Sequence, residues 1–93
     1  MKFNRGQKCL YDQSLARVGT LISAIIYHED RIWYKLNYID AEQFVYMRTK
    51  FGEILATPTA IFFDDKRLEV YLLPLPDREY ELKIRFYPHI EEI

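Results

Sequence analysis

The sequence predicts a mostly β fold of the α+β class, a small antiparallel sheet of hairpins with one short helix at about 41–50. Aromatic residues make up 16% of the chain, with eight Tyr and six Phe, and side chains of this type favour strands. Residues 79–87 alternate between charged and apolar side chains, as in a strand with one buried face. With 93 residues, 49% of them hydrophobic, we expect a single domain over 1–93.

The segment 15–28 allows two interpretations. Its apolar residues fall at helical spacing, but Gly19, Thr20 and several β-branched residues disfavour a helix. Residues 31–38 then alternate like a half-buried strand. A hairpin from about Thr20 to Tyr38 accounts for both segments and is preferred, although a helix over 15–28 stays open. The strand alternative places Leu21, Ile25 and Tyr27 on one face and Ile22 and Ile26 on the other.

The short helix is predicted from signals at both of its ends. Asp40 can cap the first turn, and Gln43, three residues later, completes a capping box. Gly52 is a typical residue for ending a helix. The spacing therefore predicts a helix over about 41–50.

The last third of the chain predicts short strands separated by polar or proline-rich turns. An apolar strand at 60–63 is followed by a charged turn, and a proline-containing turn at 74–78 separates two further strands. We expect these two strands, 68–73 and 79–87, to pair as a hairpin that organises the sheet. Glu69 would then face Lys83 or Arg85 on the solvent side.

Charge and cysteine content exclude several classes of protein. Lys and Arg number 13 against 14 Asp and Glu, so no basic excess draws the chain to nucleic acid. Cys9 is the single cysteine, so no intramolecular disulfide can form. The most apolar stretch, 18–27, is too short to span a bilayer. We expect an intracellular, soluble protein without a membrane partner.

No residue pattern predicts catalysis, a metal or a cofactor. His28 and His89 lack partners at metal-ligand spacing, and both are expected to be surface histidines. Cys9 is expected to be an ordinary buried or half-buried thiol. The Asp64-Asp65 pair is expected to be a solvated turn rather than a cation site. We therefore expect no enzyme, although a small nuclease using His28 beside acidic residues is a hypothesis to test.

The C-terminal pattern carries a family resemblance. Residues 68–77 and 79–88 resemble the hairpin of head–tail adaptor (connector) proteins of tailed bacteriophages, in which a proline-proline-aspartate turn joins two strands and the second ends in two aromatics and a proline. Residues 33–44 are similar to the strand and short acidic helix that precede this hairpin, and Phe62-Phe63 takes the place of a further strand. The resemblance covers roughly 18–90. Residues 3–11 are predicted extended, where those adaptors usually have helices.

This resemblance implies a structural protein of a phage virion, assembled in the host cytoplasm. Its partners would be other copies of itself and phage head or tail proteins. Exposed edge strands suit such contacts, and a near-zero net charge does not oppose them. The alternative is a small SH3-like β-barrel module for a peptide or nucleic acid, since residues 3–11 and 19–22 loosely resemble the opening strands of such barrels.

The expected interaction surface consists of aromatic and basic residues on the predicted strands. Aromatic and basic side chains on one sheet face can bind single-stranded nucleic acid. Glu69, Glu79 and Glu81 lie between the basic residues in the predicted sheet, so nucleic acid is not expected as a partner. The surface is expected to include Trp33, Tyr34, Tyr71, Arg85 and Tyr87.

Overall fold

Strands make up most of the computed structural model, which describes residues 1–29 and 32–88. The predicted class, mostly β with one short helix, is confirmed. In chain order the elements are β1 (Lys2–Phe3), β2 (Cys9–Tyr11), a 3-10 helix (Gln13–Arg17), β3 (Val18–His28), β4 (Ile32–Tyr38), α1 (Ala41–Phe51), β5 (Leu55–Ala56), β6 (Ala60–Asp64), β7 (Glu69–Leu73), β8 (Leu75–Pro76) and β9 (Tyr80–Pro88).

Seven of the strands form one sheet in the order β1-β9-β3-β4-β6-β7-β2. All neighbours in this order pair antiparallel except β4 and β6, which pair in parallel through two residues of each strand. Strands β5 and β8 form a separate parallel pair. The sheet is therefore largely antiparallel, with a short parallel contact near its middle.

The preferred hairpin interpretation of the ambiguous segment is confirmed. Strands β3 and β4 pair antiparallel, with Ala24 opposite Leu36 and His28 opposite Ile32. The beginning of the segment differs, because Leu15 lies in the 3-10 helix and is 1% exposed. The Asp12 carboxylate caps this helix by accepting the Ser14 N–H. That hydrogen bond is the main cause that lowers the pKa of Asp12.

The predicted faces of β3 are wrong because the strand contains bulges. The register against β9 shifts between Leu21 and Ser23. The alternation of inward and outward side chains before this point is therefore out of phase with the alternation after it. As a result, Leu21 packs against the same core as Ala24 and Ile26, whereas Ile22 is 47% exposed. An extra residue in one strand reverses the faces beyond it, and the alternation of the sequence alone does not reveal it.

The predicted hairpin of 68–73 with 79–87 is wrong, although both strands form. Strand β7 pairs with β6 on one edge and β2 on the other, and β9 pairs with β3 and β1. A strand has two hydrogen-bonding edges, so neither has one left for the other along these paired stretches. The chain between them forms β8, which pairs with β5. Glu69 therefore does not face Lys83 or Arg85.

The N-terminal segment connects the two ends of the strand order. Strand β1 pairs with β9 and β2 pairs with β7, and only a short loop separates β1 from β2. The Gly6 N–H in this loop donates to the Pro76 carbonyl over 2.8 Å. Phe3 of β1 and Val70 of β7 are both fully buried in one core cluster. The sheet is thus curled, and residues 1–11 close it into a partial barrel.

Helix α1 covers the outer face of the sheet at β6 and β7. The predicted capping box is confirmed, because the Asp40 carboxylate accepts the Gln43 N–H and the Gln43 side chain accepts the Asp40 N–H. The Phe44 ring stacks on Phe62 at 4.6 Å between centroids. The helix ends at Gly52, as predicted, with a positive φ of 58°.

Candidate interaction surfaces

The β6-side edge of β4 is largely open. Of the described residues, only Asn37 and Tyr38 of β4 pair with β6, while residues 32–36 pair with β3 alone. The N–H groups of Asn37 and Ile39 donate toward the β6 side, to Thr59 and Ile61. The N–H groups of every second residue in a strand point to the same edge. The Lys35 N–H therefore also faces the open edge. An unpaired edge of this kind can accept a strand from another chain.

Two tyrosines accompany this edge. Tyr34 and Tyr38 lie on the same face of β4 as the buried Leu36, yet they are 37% and 55% exposed. Tyrosine offers a large apolar ring with a polar tip, and it is enriched in protein interfaces. The open edge and these two rings are together a candidate contact surface, here called the β4 edge.

The five residues of the predicted interaction surface do not lie together. Tyr34 belongs to the β4 edge, and the register places Trp33 opposite Tyr27. Arg85 and Tyr87 are exposed on β9, opposite Ser23 and Thr20 of β3.

Tyr71 is separate from the other four and half-buried beside α1. Its ring centroid lies 4.9 Å from that of Phe44, and its hydroxyl donates to Glu69 over 3.0 Å. Burial, together with Glu69, raises the pKa of Tyr71. Tyr71 was predicted to belong to the interaction surface, but α1 covers the face of β7 that carries its side chain.

A cavity of about 150 Å³ lies between α1 and the strands β7 and β8. Lys8 and Glu53, both in its lining, form an ion pair of 3.3 Å, and the Arg48 guanidinium lies 5.9 Å from the centre of the Phe44 ring. Among the described ion pairs none involves Arg48. The lining residues are Lys8, Phe44, Arg48, Gly52, Glu53, Tyr71, Leu73 and Leu75.

Cys9 is a half-buried free thiol, as expected. Burial, a hydrogen bond to Glu69 and the charge of Glu69 raise its pKa. A raised pKa keeps the thiol protonated near neutral pH, and the protonated form is a poor nucleophile. Cys9 is thus better explained by its packing in β2 than by covalent chemistry.

His28 is half-buried, so the prediction of a surface histidine is only partly met. Its Nδ1 lies 2.8 Å from the Glu79 carbonyl oxygen, and its Nε2 lies 3.6 Å from Glu29 Oε1. Its ring meets Tyr80 edge-on at 6.1 Å. These contacts join the end of β3 to the start of β9. His89 lies outside the described residues.

Asp64, the last residue of β6, organises the turn that follows this strand. Asp64 Oδ1 accepts the N–H groups of Lys66 and Arg67 at 3.1 and 3.2 Å, a typical role for aspartate in a turn. Within residues 1–29 and 32–88, no group of His, Cys, Asp and Glu has a geometry that could hold a metal ion. No helix in the same ranges is long and apolar enough to cross a membrane.

Three of the basic residues on the predicted strands lie together on the outer face of the sheet. Lys35 pairs with Ile25, and Ile25 pairs with Lys83, so the three side chains form a row across β4, β3 and β9. Arg85 follows two residues later on the same face, opposite Ser23. Lys35, Lys83 and Arg85 are exposed, and none of them takes part in an ion pair with the residues that the structure describes. These three cations are called the basic face.

Glu81 lies on the same face as these cations, two residues before Lys83 and opposite Tyr27, whereas the other two glutamates that were expected to neutralise them have other partners. Glu79 pairs with Lys2 at 3.1 Å, and Glu69 accepts from Tyr71 beside α1. Glu81 accepts a hydrogen bond of 2.7 Å from the hydroxyl of Tyr27. The sequence indicates basic residues beside aromatic ones on these strands, but only the register of the three strands shows that Lys35, Lys83 and Arg85 share a face.

No protein-family model, no curated protein and no solved structure matches the chain. The candidate surfaces therefore carry the functional inference.

Proposed function

We propose that this chain is a structural protein of a phage virion, of the head–tail adaptor type, and that it acts without catalysis through contacts between subunits. The sequence resemblance over roughly 18–90 supports this proposal. The strands on either side of the proline turn pair with other strands and not with each other, so the resemblance rests on the sequence pattern and not on the strand pairing. The partners would be copies of the chain and phage head or tail proteins, assembled in the host cytoplasm.

The observation that carries the proposal is the β4 edge. Residues 32–36 expose one row of backbone hydrogen-bonding groups, and Tyr34 and Tyr38 present exposed rings beside it. A strand from another subunit could extend the sheet here through main-chain hydrogen bonds. The formal net charge of −1 gives little repulsion between copies.

The proposal is tested with a proline on the open edge. Lys35→Pro removes an N–H that faces this edge, so the ladder with β3 keeps its hydrogen bonds. Lys35→Gln is the matched control, because it removes the same charge and retains the N–H. Sedimentation velocity across a wide concentration range, with and without phage head and tail proteins, measures association, and circular dichroism checks that each variant folds.

We expect the wild type and Lys35→Gln to associate, and Lys35→Pro to lose roughly tenfold or more in the association constant, equal to about 1.4 kcal/mol. A wild-type protein that stays monomeric at every concentration and ignores the phage proteins would overturn the proposal. Equal association of a folded Lys35→Pro variant would exclude the β4 edge as the contact.

The cavity beside α1 and the closure of the sheet by residues 1–11 favour a second candidate, an SH3-like module for a peptide. An extended peptide could place an apolar side chain on Phe44 and Leu73, with a neighbouring carboxylate near Arg48. NMR titration with such peptides tests it, and Arg48→Gln should weaken binding. Shifts confined to the cavity, in a protein that stays monomeric, would favour this candidate over the adaptor.

A further inference from the structure

We propose that the basic face binds the phosphate backbone of single-stranded nucleic acid. This inference goes beyond the proposed function and does not depend on it, since it concerns side chains on the outer face of the sheet, whereas the β4 edge consists of backbone groups and two tyrosine rings on the opposite face; Lys35 contributes its side chain to the first and its N–H to the second. It rests on the register of β4, β3 and β9, which places Lys35, Lys83 and Arg85 together. None of the three forms an ion pair with a described residue, so three cations stand against the Glu81 carboxylate, which lies two residues before Lys83 on the same face.

The spacing of these cations suits a linear polyanion. Neighbouring strands lie about 4.8 Å apart, so Lys35 and Lys83, two strands apart, are separated by about 10 Å. Lys83 and Arg85 lie two residues apart on one strand, which is about 7 Å. A nucleic-acid strand carries a phosphate about every 3.4 Å along a B-form duplex and can be more extended when single. Several phosphates of one strand therefore fit within this span.

Exposed aromatic rings favour a single strand over a duplex. Tyr87 is 65% exposed and follows Arg85 by two residues on the same face of β9. The ring faces of unpaired bases are accessible, so they can stack on tyrosine next to a phosphate-binding group. In a duplex the bases are stacked on each other, and the ring of Tyr87 would have no base face to meet.

Fluorescence anisotropy with a labelled 15-mer of deoxythymidine tests the proposal between 25 and 200 mM salt. Each phosphate contact with a single strand contributes about −0.7 to the slope of log K against log salt. Three contacts predict a slope of about −2, and Lys83→Gln or Arg85→Gln should each reduce its magnitude by about 0.7. At 50 mM salt, the loss of one contact corresponds to a roughly eightfold weaker association.

Matched controls separate this face from general charge effects. Lys66→Gln and Arg67→Gln make the same charge changes in the exposed turn after β6, and we expect less than a twofold effect from either. Tyr87→Leu should weaken binding, and Tyr87→Phe should retain it, because only the ring is needed for stacking. Because all these sites are exposed, we expect each variant to have the thermal unfolding curve of the wild type, and this measurement checks that the variants are folded.

Three results would overturn the inference. These are no binding by the wild type at 25 mM salt, equal losses in the Lys66 and Lys83 variants, or tighter binding of a duplex of the same length. None of them affects the proposed subunit contacts, which Lys35→Pro tests on the β4 edge. Conversely, Lys83→Gln should leave self-association unchanged, so the two proposals fail separately.

Discussion

The Tyr80 hydroxyl donates a hydrogen bond of 2.7 Å to Asp77 Oδ1, across the turn that leads into β9. The same hydroxyl lies 3.4 Å from Thr57 Oγ1, in the loop before β6. Tyr80 is 2% exposed, so this pair connects the core to the turn where the chain leaves β8.

We expect Tyr80→Phe to lower the free energy of unfolding by about 1.5 kcal/mol, because a hydrogen bond to a half-buried carboxylate is lost. Urea denaturation at pH 7 measures this change. Tyr34→Phe is the control, since no described hydrogen bond involves the Tyr34 hydroxyl, and it should change stability by less than about 0.5 kcal/mol. Equal effects of the two substitutions would show that the Asp77 contact does not stabilise the fold.

Stability should also decline at alkaline pH. Burial, followed by the Asp77 hydrogen bond, raises the pKa of Tyr80, and burial with Glu69 raises the pKa values of Tyr71 and Cys9. A raised pKa in the folded state means that the protonated form is favoured there. This stabilisation is complete below the unfolded values, about 8.5 for cysteine and 10 for tyrosine, and is lost as the pH rises through the folded values.

Urea titrations from pH 8 to pH 11 measure this decline. The Tyr80→Phe variant should lose less stability over this interval than the wild type, because one of the three groups no longer ionises. A stability that stays constant up to pH 11 would contradict the prediction.

The cap of α1 gives a third prediction. Asp40→Ala removes the acceptor for the Gln43 N–H, a bond of 2.8 Å, and should cost about 1 kcal/mol. Asp40→Asn keeps an acceptor oxygen and should cost much less. Glu42→Ala, in the same helical turn, is the control for charge near the helix start. In urea denaturation we expect Asp40→Ala to have a lower free energy of unfolding than both other variants. Any other order would argue against the capping box.

The elements that sequence predicts well are those decided by near neighbours in the chain. The capping box of α1 involves residues three apart, and the alternation of 79–87 describes one strand. The pairing of β7 and β9 depends instead on which strands occupy their edges. These are β2 and β6 for β7 and β3 for β9, at sequence separations of up to 70 residues. Short-range pattern suggests a hairpin wherever two strands follow a turn, so this error is a systematic one.

In the candidate surfaces, too, single residues were predicted from the sequence, but their grouping across strands was not. Tyr34, Arg85 and Tyr87 are exposed aromatic or basic residues, and each was predicted individually. The basic face joins Lys35 to Lys83 through the register of two strand pairs, and a bulge in β3 changes which residues share that face. Neither the register nor the bulge can be read from the spacing of the residues in the sequence.

Gly52 gives a fourth prediction, because its backbone has φ 58° and ψ −125°. This combination lies outside the left-handed helical region, which Asn tolerates, and is accessible mainly to glycine. A Cβ at this position would meet no atom within 4 Å, so any cost comes from the backbone alone. We expect Gly52→Ala and Gly52→Asn both to lower stability, by about 1–3 kcal/mol. Restoration of wild-type stability by Asn would indicate an ordinary left-handed helix end.

Phe3 gives the last prediction, since it anchors the segment that closes the sheet. Phe3 is fully buried, and Phe3→Ala should cost about 3–5 kcal/mol. Lys2→Ala, next to it, removes only an exposed ion pair to Glu79 and should cost less than about 1 kcal/mol. Both values are measured by urea denaturation.

Hydrogen exchange shows whether this loss is local. The Leu82 N–H donates to the Met1 carbonyl over 2.7 Å, so its protection reports pairing of the first residues with β9. In Phe3→Ala we expect the amides of Leu82 and Gly6 to exchange faster than those shared by β3 and β4, because residues 1–11 detach while the remaining sheet persists. A uniform loss of protection across all strands would show instead that closure by residues 1–11 and folding of the sheet are one cooperative step.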